Sequence, residues 1–174
     1  MKKRIGHFIL LNAFSLLSCK GEPIEPFELT VADYDYSSAS SLLYCLTDQK
    51  LTITFRGELE GEKDSVLFST TDLPRSGIRK LSKINIDSLA VLYRNNCIAD
   101  GDVKVIRFKK GSIYKQVQLN NYYHPLLSPA IEIINGIVPK KHQMYYNKEA
   151  LLQKMAKCQD FNIIQKREDL KWDD

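Results

Sequence analysis

Residues 103–119 read VKVIRFKKGSIYKQVQL, and this stretch decides the fold. Val103 to Phe108 is rich in β-branched and aromatic side chains, and Ile113, Lys115, Val117 and Leu119 then alternate with Tyr114, Gln116 and Gln118. A period of two sends successive side chains to opposite faces of a strand. Lys109-Lys110-Gly111-Ser112 supplies turn chemistry between the two runs, so the stretch predicts an antiparallel hairpin.

The same alternation recurs upstream. Phe27, Leu29 and Val31 alternate with Glu28, Thr30 and Ala32, which predicts an opening strand. Leu42, Tyr44 and Leu46 are followed by the polar link Thr47-Asp48-Gln49-Lys50, then by Leu51, Ile53 and Phe55, a second hairpin. Residues 57–64 form a charged loop, and Val66 to Thr71 predicts a further strand. A helix is expected from Asn85: Ile84 and Leu89 suit a hydrophobic staple around that cap, Ile86, Leu89, Ala90 and Tyr93 recur at helical spacing, and Asn95 or Asn96 suits its end.

Ser128-Pro129 marks another helix start, and Ala130 to Ile134 carries its apolar stripe until Asn135-Gly136. Asn147 caps a last helix whose Leu151, Leu152, Met155 and Cys158 make the expected buried face. The fold class is therefore α+β: a single antiparallel sheet of about five to six strands packed by about three helices. Antiparallel order is expected because no segment between the strands is long enough for a parallel crossover. One domain over residues 27–165 accounts for these elements, with a charged tail at 166–174.

The first residues have another character. Lys2, Lys3 and Arg4 precede the apolar run Phe8 to Leu17, and Leu16-Leu17-Ser18-Cys19 closes it. From Ile5 to Ser18 a helix would reach about 21 Å, short of a hydrocarbon core of about 30 Å, and the stretch holds His7 and Asn12. A basic start, a short apolar core and small residues at the end describe an export signal. The ending resembles the lipobox of bacterial lipoproteins. That resemblance implies removal of residues 1–18 and a diacylglyceryl thioether plus an amide-linked acyl chain such as palmitate on Cys19. Residues 19–26, with Pro23 and Pro26, then read as a tether. Lys20 and Glu22 just after Cys19 also resemble the surface-export signals of some Bacteroidota lipoproteins. The implied location is the bacterial cell envelope, on the periplasmic or surface face of the outer membrane.

Without residues 1–18 the chain keeps 156 residues, and Lys plus Arg falls from 25 to 22 against 21 acidic residues. A net charge near +1 without a basic stripe gives no electrostatic ground for nucleic-acid binding. Cys45, Cys97 and Cys158 remain, with no CxxC spacing. A Cys45–Cys97 disulfide is one candidate, closing a loop of about 52 residues worth roughly 4 kcal/mol; three buried thiols are the alternative.

No HExxH, GxSxG or phosphate-cradling glycine loop occurs, so neither a cofactor nor a metal site is expected. A hydrolase would draw on His124 or His142, with Glu132, Asp100 or Asp102 as partner and Ser128 or a cysteine as nucleophile. Asp100-Gly101-Asp102 opens like a calcium loop, but the twelve-residue frame ends at Gly111 instead of a glutamate. The tyrosines cluster at 34 and 36, 122–123 and 145–146, a composition suited to recognition. Tyr122, Tyr123 and His124, between a strand and a helix start, are the candidate contact surface. The expected function is a membrane-anchored binding or interaction module, contacting the membrane through the Cys19 lipid and an envelope protein or glycan through the domain. The alternative is a small envelope hydrolase using a loop histidine.

Cys19→Ser removes the lipid acceptor. The variant is expected to stay unprocessed or to leave the membrane fraction, because several acyl chains hold far more firmly than one. Unchanged processing and partition, followed by fractionation and intact mass, would overturn the lipoprotein reading.

Overall fold

In the computed structural model, the hairpin read from residues 103–119 is present as β6 (Val103–Lys110) and β7 (Ile113–Asn120). The structure describes residues 23–35, 40–57, 59–98, 101–158 and 160–170. The expected signal segment, Cys19, Tyr36, Asp100 and Trp172 lie outside the described residues.

The upstream strands are β1 (Glu28–Asp35), β2 (Ser40–Thr47), β3 (Leu51–Gly57) and β4 (Ser65–Thr70). Thr47 and Lys50 close the β2–β3 turn, the Thr47 amide donating to the Lys50 carbonyl at 2.8 Å. β1 pairs antiparallel with β2 on one side and with β6 on the other. Leu29, Val31, Tyr44, Leu46, Leu51, Ile53, Ile106, Phe108, Val117 and Leu119 are buried on one face. The helices α1 (Arg75–Ser82), α2 (Ser128–Ile137) and α3 (Lys148–Lys157) contribute Ile78, Leu81, Ala130, Ile131, Ile134 and Leu151 to the buried set. Burying each large aliphatic side chain stabilises by about 1.5 to 3 kcal/mol, so this face fixes which way every strand is turned.

Two further strands, β5 (Leu92–Asn95) and β8 (Phe161–Ile164), raise the count to eight among the described residues, against the five to six expected. The order is β4-β3-β2-β1-β6-β7-β5-β8. The sheet is not wholly antiparallel, because β5 lies parallel to β7. No long crossover helix was needed: β6 runs between them in sequence and supplies the return.

The expected helix from Asn85 is replaced by turns leading into β5. The Asn85 side chain accepts from the Asp87 amide at 3.2 Å, and the Leu89 amide donates to the Ile86 carbonyl at 3.3 Å. Ile84, Ile86, Leu89 and Ala90 are buried as expected, but as a plug into the core. Tyr93 then continues as a strand paired on both sides, by β7 and β8, and its hydroxyl accepts from the Ala90 amide at 2.9 Å. Ladder bonds on two edges outweigh helical spacing. The helix sits earlier, at α1, where Gly77 lets α2 approach: a β-carbon there would stand 3.1 Å from Ile133 Cδ1.

Of the expected inner face of α3, Leu151 is buried, Met155 is half-buried and Leu152 is 43% exposed. Asn147 caps this helix, its Oδ1 accepting from the Ala150 amide at 2.9 Å. Among the described residues no helix is long and apolar enough to cross a membrane.

Cys97 is bonded to Cys158, with the α-carbons 6.3 Å apart, and Cys45 is free. This corrects the Cys45–Cys97 candidate. Cys45 lies on β2 and Cys97 just beyond β5, four strand spacings away, about 19 Å across the sheet. A disulfide needs α-carbons within about 7 Å. The β5–β8 pairing brings the other two together, and the Asn96 amide donates to the Asp160 carbonyl at 3.0 Å beside them.

Alkylation in denaturant without reductant is therefore expected to label Cys45 and neither Cys97 nor Cys158. Closing 61 residues of chain is worth about 4 kcal/mol by loop entropy, so a Cys97→Ser/Cys158→Ser double variant should melt lower. Label on Cys97 in the unreduced protein would refute the pairing.

Candidate functional site

One charged side chain stands where the alternation demands an apolar one. Lys104 shares a face of β6 with Ile106 and Phe108 and is only 2% exposed. Directly across from it on β1 is Asp33, which follows Leu29 and Val31 on the same face. The ammonium lies 2.8 Å from Asp33 Oδ1 and also contacts Asp102 Oδ1. At this end of the sheet the apolar core gives way to an ion triad, because a buried ammonium needs paired charge around it.

Asp102 is aimed by its backbone. The Asn121 amide donates to the Asp102 carbonyl at 2.8 Å, and the Asp102 amide donates to Asn121 Oδ1 at 2.9 Å. Asn121 adopts a left-handed φ of 52°, and Gly101 has a φ of 151°. A β-carbon on Gly101 would collide with the Asn121 carboxamide, so this clip requires glycine. Burial lifts the Asp102 carboxyl above its ordinary range, and the Lys104 ammonium pulls in the opposite direction. Burial also raises the Tyr44 phenol, helped by the charge of Asp33.

The triad floors a cleft of about 400 Å3, within the range of small-ligand sites. Asn147, Ala150, Leu151 and Lys154 of the α3 start form one wall, and Tyr145 stands at its mouth. Tyr145 is 76% exposed, yet the loop that carries it is held on both sides. Asn135 of α2 donates to the Met144 carbonyl and accepts from the Met144 amide, each at 2.9 Å. The Tyr44 hydroxyl donates to the His142 carbonyl at 2.8 Å. Asn147, on the other side, is fixed as the α3 cap.

The candidate contact surface does not form as expected. His124 is buried, and Tyr122 packs against Tyr93 and Phe161 with ring centroids 5.3 and 5.5 Å apart. Tyr123 is half-buried, with the Lys148 ammonium 5.3 Å above its ring. The reason is the β5–β8 edge: Tyr93 and Phe161 come from those two unforeseen strands, and the 122–124 segment packs against them.

The hydrolase candidates are likewise engaged in other contacts. His124 Nδ1 accepts from the Leu126 and Leu127 amides at 3.2 Å each, and the His124 amide donates to Ser128 Oγ at 2.9 Å. His124 and Ser128 thus build the entry to α2, so Ser128 does not stand as a nucleophile. Glu132 bonds Lys148 at 3.2 Å, and Asp102 bonds Lys104. His142 lies in the 3-10 turn Lys140–His142. Among the described residues neither imidazole is hydrogen-bonded to a carboxylate, hydroxyl or thiol side chain, and no group of three or more His, Cys, Asp and Glu is placed to hold a metal ion.

Lys104 and Asp33 each had a signal in the sequence, a charge in register with an apolar face. Compared with known proteins, the chain matches no family model, no curated protein and no solved structure.

Burial pushes the His124 imidazole below its ordinary value, so the folded protein favours the neutral ring. A group whose folded value is lowered stabilises above its unfolded value, about 6.5, and that contribution is lost as pH falls through the folded value. Melting temperature should therefore fall on acidification below about pH 6.5. It should fall less steeply in His124→Asn, which keeps a short acceptor for the same amides. Parallel melting curves from pH 7.5 to 5 for the two proteins would show that this ring does not titrate with folding.

Proposed function

We propose that the protein is a binding module of the bacterial envelope, held to the membrane through acylated Cys19, and that its ligand enters the cleft over Lys104. The observation that carries the cleft assignment is the buried triad itself. An ammonium uses two of its three N–H bonds on Asp33 and Asp102, and two carboxylates keep further lone pairs, all at the floor of an open cavity. Stability alone does not call for a triad there, because apolar replacements of buried ion pairs are often neutral or stabilising. The lipobox-like ending at Cys19 supports the anchored location. The hydrolase reading draws no support from the site, since His124 is bound into the backbone at the start of α2.

A photo-activatable side chain in place of Tyr145, in the full-length protein within intact envelopes, tests the module. The same group in place of Tyr114 is the control: that side chain is 58% exposed on the β6–β7 hairpin, at the other end of β6 from Lys104. An adduct at 145 that is missing at 114 is expected. No adduct at 145, or the same adduct from both positions, would overturn the proposal.

A further inference from the structure

We infer that the cleft over Lys104 takes a neutral saccharide; this rests on the binding-module reading above and names the ligand class of the same site. Three observations narrow the chemistry. Asp33 and Asp102 face Lys104 and Lys154 among the lining residues, so two carboxylates against two ammonium groups leave no net formal charge. A strongly anionic or cationic ligand would find no complementary field there.

The polar atoms are of both kinds and closely spaced. Lys104 has a third N–H bond, Asn121 has a carboxamide nitrogen, and the two aspartates offer carboxylate oxygens. A hydroxyl both donates and accepts, so neighbouring hydroxyls on one ring can satisfy donors and acceptors that alternate over a few ångströms. Hydrogen bonds in which one partner is ionised are about twice as strong as neutral ones. The fixed floor can therefore discriminate ring stereochemistry.

The third observation is Tyr145. Its side chain lines the cleft and is 76% exposed, and its loop is clamped through Met144 and Asn147. Tyrosine presents a large flat apolar face with a polar tip. The C–H face of a pyranose matches that surface while its hydroxyl edge reaches the triad. Backbone held on both sides of Tyr145 lowers the ordering cost of binding.

The test uses the full-length acylated protein in a detergent without a sugar headgroup. Saturation-transfer NMR and calorimetry are run with glucose, mannose, galactose, N-acetylglucosamine and their short oligomers, and with spermidine and citrate as charged controls. Saturable binding of one saccharide, and of neither control, is expected. Tyr145→Ala should weaken it at least about tenfold, equivalent to ~1.4 kcal/mol, with an unchanged melting temperature. Asp33→Asn should weaken it similarly, and it keeps the Lys104–Asp102 contact.

Absence of saturation transfer from every saccharide overturns the inference, as does binding that Tyr145→Ala leaves intact. If no saccharide binds while cross-linking at 145 still gives its adduct, the saccharide assignment falls and the binding module stands. If both fail, both fall.

Discussion

Among the described residues strand β1 alone joins the two halves of the sheet, and burial holds its register. β2, β3 and β4 lie on one side, and β6, β7, β5 and β8 on the other. Leu29 and Val31 are fully buried on the core face, while Glu28, Thr30 and Ala32 face the other way. A slip of one residue against β2 or β6 would exchange these sets. It would bring Glu28 inward and lose about 1.5 to 3 kcal/mol for each large side chain exposed. The same register sets Asp33 opposite Lys104, so the core and the cleft floor are one constraint.

That coupling explains what could be read from the sequence. Alternation is a strong signal where one face is buried, and the two hairpins at 42–55 and 103–119 stand as expected. β5 and β8 have four residues each, too few to show a period. Ile86, Leu89, Ala90 and Tyr93 imitate a helical stripe because a plug and a short strand bury them in turn. α1 offers only Ile78 and Leu81 as large apolar residues and includes Gly77, so its spacing is faint. The cleft was half legible: Lys104 and Asp33 each break an apolar face, but only knowledge that β1 neighbours β6 joins them. The tyrosine pattern drew 122–123 and 145–146 alike, and packing against Tyr93 and Phe161 holds Tyr122 half-buried while Tyr145 stays exposed.

Keeping an ion triad at the end of a core has a physical cost. Desolvating an ammonium costs several kcal/mol, and its partners must offset that through close, well-oriented contacts. Here the carboxylates are less buried than the ammonium: the side chains of Asp33 and Asp102 keep 24% and 19% exposure against 3% for Lys104. The charge is thus graded from interior to opening. The field of the cation is felt at the cleft floor through two carboxylates that water, or a molecule replacing water, can still reach.

The entry of the chain into the domain has a geometric consequence. Ile24 already packs against the core and Glu25 pairs with Lys110, so the fold takes hold of the chain before β1 begins. Between Cys19 and Ile24 at most about 18 Å of extended chain is available. From Glu28 to Asp33, β1 then carries the path another ~17 Å along the sheet before it meets the cleft. Under the proposed acylation of Cys19, the turn end near Lys110 is the end of the sheet nearer the anchor along the chain, and the cleft lies at the opposite end of β1.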